Sequence, residues 1–188
     1  LRADALTWPA SDSVGEGSFM YVLRQRTGFK FDLPTEAQWE YACRAGTAGA
    51  WNNGTTIVNT GTDANLALLG RYNGNAVENG TSADRNCDTN RNTAIVGSFQ
   101  PNAWGLYDMH GNIIEYCLDR VSSTAKASDL GALPVTDPSG VADVTVNRVF
   151  RGGGCGSIAQ GCRSSYRNGV NYNNQTHPRF GFRIAIQP

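Results

Sequence analysis

The most constraining feature of this sequence is its C-terminal segment, residues 147–185, in which two strand-like ends enclose a polar run. Residues 148–154 and 180–185 alternate apolar and basic side chains, which is the pattern of half-buried strands. The residues between them are mostly Gly, Ser, Asn, Tyr and Gln, with too few aliphatic side chains to form a core. Two strands that hold an irregular polar loop are typical of a binding surface on a rigid scaffold. The alternative is a solvated loop without a ligand.

A chain of 188 residues is most simply one domain, residues 1–188, and it is long enough to bury a sizeable core. Its basic and acidic residues both number 16, so no excess charge favours a nucleic-acid partner. No apolar run approaches the roughly 18 residues of a transmembrane helix. Because the chain starts at Leu1 rather than Met, we expect a missing N-terminal part, in which a lipid or membrane anchor would be allowed.

The five cysteines are an odd number, with no CxxC pair and no zinc-site spacing. Cys43 and Cys117 stand among apolar residues, which predicts buried, unreactive thiols. Cys155 and Cys162 lie in the C-terminal segment, where the sequence leaves a disulfide open. The 22 glycines and the sparse aliphatic residues predict much irregular backbone around a modest α+β core.

The first helix is predicted over residues 18–27, where Phe19, Val22 and Leu23 share one helical face. A second helix over residues 36–45 follows, since Thr35 and the glutamine three residues later resemble a capping box. Five aromatic side chains in regular elements are predicted to belong to the core: Trp39, Tyr41, Trp104, Tyr107 and Phe182.

Two glutamates of the second helix, Glu36 and Glu40, are four residues apart and so lie on one helical face. Such a pair can imitate the catalytic carboxylates of a glycosidase. Helical spacing on a short amphipathic element instead predicts a solvated face.

Three blocks of sequence match one family in their order and spacing. They are LPTEAQWEYA at residues 33–42, NAWGLYDMHGN at residues 102–112, and RVFRGG at residues 148–153 with GFR at residues 181–183. Together they resemble the formylglycine-generating enzyme, or sulfatase-modifying factor, family over roughly residues 27–185. The resemblance implies a C-type-lectin-like α+β fold, with two helices and a small twisted antiparallel sheet that carries long loops. The part of the family pattern before the first helix is missing.

The enzymes of this family oxidise a substrate cysteine with copper held by two cysteines, five residues apart in the C-terminal segment. Registering residues 163–167 on the family's closing Arg-Cys-Ala-Ala-Arg pattern puts Ala159 and Ser164 at these positions. Cys155 and Cys162 are seven residues apart and out of register. Because Cu(I) needs soft thiolate ligands, the resemblance implies no copper and no enzymatic activity. The alternative is a copper-dependent oxidase or another enzyme of the sulfatase-modifying-factor type.

Iron-dependent relatives would need histidine and carboxylate ligands with open positions. The chain has two histidines, His110 and His177. The first lies in the second family block and is predicted to be structural, and the second precedes Pro178 and is expected to be exposed. The sequence therefore does not support an iron site.

The non-catalytic branch of the family fits better. Variable proteins of diversity-generating retroelements reuse this fold, and their C-terminal residues are rewritten at adenines of the coding template. The resemblance is closest to the variable protein of the treponeme type. It implies a ligand-binding protein at the cell surface or outside the cell, whose partner is a protein or another macromolecule.

The resemblance divides the C-terminal segment into framework and ligand-binding positions. The framework comprises Arg151, Gly152, Gly153, Ala159, Gln160, Cys162, Arg163, Ser164, Ser165, Arg167, Gly181, Phe182 and Arg183. Tyrosine supplies contact area at a low entropy cost, and asparagine and serine supply adaptable hydrogen bonds. The candidate ligand-binding residues are Gly156, Ser157, Ile158, Gly161, Tyr166, Asn168, Val170, Asn171, Tyr172, Asn173, Asn174, His177 and Arg179.

The resemblance also implies a structural calcium ion at the family's Gly-Asn-x-x-Glu motif, matched here by residues 111–115. A carboxylate with neighbouring carbonyl groups is a partial ligand set for this cation. The alternative is that Glu115 forms a buried ion pair with an arginine such as Arg151 or Arg183. The implied metal-site residues are His110, Gly111, Ile113 and Glu115.

Overall fold

The computed structural model describes residues 14–76, 93–121, 147–169 and 179–186. These residues form two α-helices, two short 3-10 helices (Leu66–Leu68 and Ala159–Cys162) and six strands. The predicted α+β class is confirmed. The helices are α1 (Phe19–Thr27) and α2 (Glu36–Arg44), and the strands are β1 (Phe31–Asp32), β2 (Ile114–Val121), β3 (Asn147–Arg151), β4 (Asn168–Gly169), β5 (Phe180–Gly181) and β6 (Ala185–Ile186).

Both helices begin where the sequence predicts, because each has a side-chain cap. The Ser18 hydroxyl accepts a hydrogen bond from the Tyr21 amide at the start of α1. At α2, Thr35 and Gln38 form the predicted capping box, in which each side chain accepts a hydrogen bond from the other's backbone amide. Two otherwise unpaired amides are thus satisfied at the start of this helix. Helix α2 ends at Ala45, which adopts the left-handed conformation with φ 46°.

The larger sheet has the strand order β4-β3-β2-β5, and a second sheet pairs β1 with β6. Strand β2 is antiparallel to β3, with Glu115 opposite Arg151. Strand β5 runs parallel to β2 on its other side. The C-terminal segment therefore supplies β3, β4 and β5 of this sheet, and β2 lies between its end strands β3 and β5. The segment's closing end forms two short strands, β5 and β6, where the sequence predicts one.

The helix α2 packs on the larger sheet through a buried cluster: Trp39 and Cys43 contact Met109, Cys117 and Val149. The prediction that Cys43 and Cys117 are buried thiols is confirmed, since both side chains are inaccessible and free. Burial raises the pKa of Cys43 to about 12, although a hydrogen bond with Ser164 and nearby arginines lower it. These two thiols therefore stay protonated at neutral pH.

The predicted apolar face of α1 is wrong by one position. Met20 is the fully buried residue of the helix, whereas Phe19 is 60% exposed and Val22 is also exposed. The helix lies on the sheet with its Met20 side, and Phe19 meets the ring of Phe182 edge-on at 5.9 Å between centroids. Leu23, the third residue of the predicted face, is partly buried.

Three of the five aromatic residues predicted for the core lie at the surface. Tyr41 is 68% exposed and Trp104 is 48% exposed, and their rings stack edge to face with centroids 4.9 Å apart. Tyr107 is also exposed. Trp39 occupies the inward position of α2, and Tyr41, two residues later, points to the opposite side of the helix.

No helix among the described residues is long and apolar enough to cross a membrane.

Candidate ligand-binding surface

The first part of the C-terminal segment is fixed by backbone hydrogen bonds to the loop that follows α2. The amide of Ala159 donates to the Gly61 carbonyl at 3.2 Å, and the Ser157 carbonyl accepts from Asn73 at 2.9 Å. The Ser164 amide and hydroxyl both donate to Ala50, each at 3.0 Å. Residues 157–164 of the segment are therefore held by this loop and not only by strand β3.

The loop that provides these contacts is organised by one buried carboxylate, Asp63. Its two oxygens accept hydrogen bonds from four backbone amides, those of Val58, Asn59, Asn65 and Leu66. Burial alone raises the pKa of Asp63, but these four donors outweigh burial and lower it below its ordinary value. A polar stretch without regular structure is thereby ordered by a side chain that replaces a secondary-structure partner.

Buried and accessible positions interleave between residues 156 and 166. Ala159, Cys162 and Ser164 are fully buried, while Ile158 is 48% exposed and Tyr166 is half-buried. Ala159 and Cys162 pack into a second cluster with the loop, while the residues beside them stay accessible. All candidate ligand-binding residues within the described part are exposed or half-buried: Gly156, Ser157, Ile158, Gly161, Tyr166, Asn168 and Arg179.

Gly161 brings several of these candidates together. A Cβ atom at this position would lie 3.5 Å from the Ser157 Cβ and 3.9 Å from the Tyr166 ring. The 3-10 helix Ala159–Cys162 thus brings Ser157 and Tyr166 close to a residue without a side chain. We define Gly156, Ser157, Ile158, Gly161 and Tyr166 as the candidate surface.

The other candidates are divided between the sheet and the undescribed parts of the chain. Asn168 lies in β4, opposite Phe150 of β3. Arg179 precedes β5, and its carbonyl accepts a hydrogen bond from Ile114 at 2.9 Å. Six candidates lie outside the described residues: Val170, Asn171, Tyr172, Asn173, Asn174 and His177. The assignment of all thirteen to ligand binding stays a prediction.

The two glutamates of α2 do not form the predicted solvated face. Glu36 is buried and forms an ion pair with Arg167, with 2.7 Å between Nε and Oε2. Glu40 forms an ion pair with Arg151, which is 1% exposed, lies 3.7 Å from Glu36 and donates to the Tyr166 carbonyl at 2.6 Å. Sequence spacing puts both carboxylates on one helical face but cannot show that two arginines of the C-terminal segment cover it.

This contact joins helix α2 to the candidate surface. The guanidinium of Arg151 lies over the Trp39 ring, 5.4 Å from its centroid, and also pairs with the carboxylates of Glu36 and Glu40. A buried arginine with charged and π partners is rigid, since its planar fork satisfies several acceptors at once. The main chain at Tyr166 is therefore positioned by α2.

His110 is buried and structural, as the sequence predicts. Its Nε2 accepts a hydrogen bond from the Asn52 amide at 3.0 Å, so Nδ1 carries the proton and donates to the Cys162 carbonyl at 2.8 Å. Burial is the main reason that the pKa of His110 is lowered to about 4. The nearby charge of Arg44 also lowers this pKa, and the hydrogen bond with the Cys162 carbonyl opposes the shift. Neither ring nitrogen has a lone pair left for a metal ion.

The positions that the family's copper cysteines would occupy are Ala159 and Ser164, and both are packed inside the protein. Cys162 is a free thiol whose pKa is raised by burial to about 12. Cys155 is disulfide-bonded and is not a free thiol. No group of three or more histidine, cysteine or acidic side chains with metal-binding geometry occurs within the described ranges.

The implied calcium residues have other partners in this fold. Both oxygens of Glu115 accept hydrogen bonds from Arg183, at 2.6 and 2.7 Å, and Oε2 also accepts from the Trp39 indole at 2.6 Å. This is the ion pair that the sequence left as the alternative. The Glu115 carboxylate, occupied by these donors, does not fit a calcium ligand. Calcium binding at His110, Gly111, Ile113 and Glu115 is implied by the resemblance alone.

The sequence matches a protein family, the sulfatase-modifying factor enzyme 1-like domain, over residues 4–188. The formylglycine-generating enzyme of Streptomyces coelicolor is 36% identical over 140 residues, covering 72% of this chain and 38% of that protein. The enzyme of Thermomonospora curvata is 34% identical over 168 residues, covering 83% of this chain and 49% of the relative. The chain thus spans less than half the length of these relatives.

Two solved structures are similar in fold. Treponema denticola variable protein 1 aligns with a TM-score of 0.61 at 30% identity, covering 84% of this chain and 48% of that one. PvdO from Pseudomonas aeruginosa aligns with a TM-score of 0.66 at 26% identity, covering 90% of this chain and 57% of that one. The fold is the predicted C-type-lectin-like α+β type. The chain therefore belongs to the family of sulfatase-modifying factor enzyme 1-like domains.

Proposed function

We propose that this protein is a non-catalytic, ligand-binding member of its family, whose C-terminal segment is diversified by a retroelement. Its partner is a protein or another macromolecule, bound through the candidate surface and the adjoining part of the segment. Similarity to Treponema denticola variable protein 1 supports the proposal. The formylglycine-generating relatives make an oxidase the second candidate.

The observation that carries the proposal is the separation of buried and accessible positions. Three framework residues, Ala159, Cys162 and Ser164, are buried and anchor the segment, whereas the candidate residues beside them are accessible, as are the framework residues Gln160 and Ser165. Accessible side chains on a fixed backbone can be exchanged without altering the core. A surface of serine, tyrosine and glycine with one isoleucine has the composition of an adaptable paratope.

The chemistry of the thiols argues against the oxidase. A copper site needs thiolates that can reach the metal. The Cys162 thiol is buried with a pKa of about 12, and Cys155 is disulfide-bonded. The two registered positions carry a methyl group and a hydroxyl group, which are not soft ligands for Cu(I).

We also place the protein at the cell surface or outside the cell. The disulfide at Cys155 supports this location, because such bonds persist in oxidising compartments. Labelling intact cells with a membrane-impermeant reagent should therefore modify the protein; modification only after lysis would contradict this location.

The binding role is tested by selecting a displayed library of random peptides on the immobilised protein. We expect specific binders, and Tyr166→Ala should weaken them by about tenfold or more, since a central tyrosine is a common hot spot. Tyr41→Ala is the matched control, because it removes an exposed tyrosine from helix α2 and should leave binding unchanged.

The oxidase is tested on the same preparation. After incubation with copper and a cysteine-containing peptide, we expect no conversion of the cysteine to an aldehyde. Aldehyde formation that Cys162→Ser abolishes, while the folded state is retained, would overturn the proposal in favour of the enzyme.

A further inference from the structure

The charges of this neutral chain are distributed unevenly. Every acidic residue precedes the C-terminal segment, the last being Asp143, whereas the segment itself carries arginines and no lysine. Its arginines are Arg148, Arg151, Arg163, Arg167, Arg179 and Arg183. The partner-facing part of the chain therefore depends on the rest of the molecule for negative charge.

Several of these arginines are neutralised inside the protein. Arg151 and Arg167 pair with Glu36 and Glu40 of α2, and Arg183 pairs with Glu115 of β2. These ion pairs are buried or nearly so, and they serve the fold. The positive charges of these three arginines, out of six in the segment, are therefore balanced by glutamates of the same chain.

Arg163 differs from these arginines. It is half-buried, and its Nε donates to the Gln160 carbonyl at 3.0 Å. Within the described ranges it has no carboxylate partner. The terminal nitrogens of its guanidinium retain donors that this carbonyl does not use.

Arg71 is a second cation without an acidic partner among the described residues. It is half-buried, and its NH1 donates to the Asn75 carbonyl, while its Nε is buried without a hydrogen-bond partner. A guanidinium held by one neutral carbonyl keeps most of its capacity for a carboxylate.

Both arginines border the candidate surface. The residue after Arg71, Tyr72, packs in the same cluster as Cys162, the residue before Arg163. The turn that follows Arg71 also contacts the candidate surface directly, since the Asn73 amide donates to the Ser157 carbonyl. Each of the two cations is therefore next in sequence to a residue that packs beneath the candidate surface.

The described carboxylate beside this region does not offset their charge. Asp63 is 3% exposed, and both its oxygens are occupied by backbone amides. Its negative charge is stabilised inside the loop and is not presented at the surface.

From this arrangement we propose that the candidate surface selects an acidic protein partner, whose carboxylates pair with Arg71 and Arg163. This inference rests on the proposed binding function and adds the chemistry of the partner. The planar fork of arginine matches a carboxylate with two parallel hydrogen bonds. Opposite charge across the interface also speeds association and excludes basic partners.

A protein fits better than a nucleic acid or a lipid surface. Binding a phosphate polymer requires several phosphate contacts, and each needs its own cation. Here two cations adjoin a surface whose Ile158, Tyr166 and Ser157 offer apolar and hydrogen-bonding contact. Such a mixed centre with a charged rim is typical of protein interfaces.

The test is selection of a random peptide display library on the wild-type protein, followed by sequencing of the bound peptides. We expect Asp and Glu to be enriched, and the affinity of selected peptides for the double variant Arg71→Gln/Arg163→Gln to fall by about tenfold or more. Arg26→Gln is the matched control, an exposed arginine of α1, and should leave affinity unchanged.

The outcomes separate this inference from the function on which it rests. Specific peptides that depend on Tyr166 but show no acidic enrichment would retain the binding function and overturn the acidic partner. Failure to select any specific peptide would count against both. Binding of double-stranded DNA or anionic vesicles that the double variant abolishes, without acidic peptides, would replace the protein partner by a phosphate-bearing one.

Discussion

His110 is neutral in the folded protein, and this makes stability depend on pH. The unfolded chain takes up a proton near pH 6.5, while burial delays protonation of the folded protein to a pKa of about 4. Between these values the unfolded state binds more protons, so stability falls as pH falls. Between pH 6.5 and 4, protonation of His110 in the unfolded chain lowers the free energy of unfolding by about 3 kcal/mol.

The first prediction is measured as the free energy of unfolding between pH 4 and 7 for the wild type and His110→Gln. Asp119 acts in the opposite direction, because burial and the charge of Glu36 raise its pKa to about 6. Asp119 is present in both proteins, so its contribution cancels when the unfolding free energy of His110→Gln is subtracted from that of the wild type. We expect the difference to shrink as pH falls from 6.5 to 4; a constant difference would contradict a neutral His110.

Glu115 provides the second residue-scale prediction, which separates an ion pair from a calcium ligand. Since its carboxylate is engaged by Arg183 and Trp39, we expect a calcium chelator to leave the melting temperature of the wild type unchanged. Glu115→Gln should lower the unfolding free energy by about 2–4 kcal/mol with or without calcium, because Arg183 loses its partner. A chelator that destabilises the wild type but not Glu115→Gln would establish the calcium site.

At the scale of elements, helix α2 positions the candidate surface through Arg151. Arg151→Lys keeps the charge but cannot reach Glu36, Glu40 and the Tyr166 carbonyl together. We expect a loss of about 1–3 kcal/mol in unfolding free energy and faster amide hydrogen exchange in residues 164–168. Arg26→Lys on α1 is the control, and equal exchange in both variants would contradict the coupling.

The two helices and strand β3 could be predicted from local signals, but the central strand β2 and the buried faces of the helices could not. The capping box at Thr35 and the alternation in β3 depend on neighbouring residues, so the sequence contains them. Which side of α1 is buried depends on the cluster around Phe150, far away in sequence. The same holds for Glu36, whose partner Arg167 joins it only in the folded chain.

The candidate surface could be predicted in part for the same reason. The composition of the C-terminal segment predicted a binding surface, and those candidate ligand-binding residues that the structure describes are accessible. Arg71 and Asp63 could not be identified, because they belong to a distant polar loop that only folding brings against Ser157 and Ala159. An isolated Asp in a turn-rich stretch signals a side-chain cap, but not the element that it supports.

At the scale of the whole molecule, two relationships follow from one fold. The protein shares a scaffold with formylglycine-generating enzymes, and it resembles a variable protein of Treponema denticola in fold. Since one scaffold can host unrelated functions, the residues in the C-terminal segment decide between them. Here these residues are buried anchors without paired thiolates, beside accessible side chains.

The most direct test of this account is to sequence the coding locus across many isolates of the source organism. We predict substitutions confined to residues 154–179, at adenine-derived codons, and concentrated at accessible positions such as Ile158 and Tyr166. The buried residues Ala159, Cys162 and Ser164 should be constant. A uniform sequence in this segment, or substitutions spread equally over buried and accessible positions, would contradict the account.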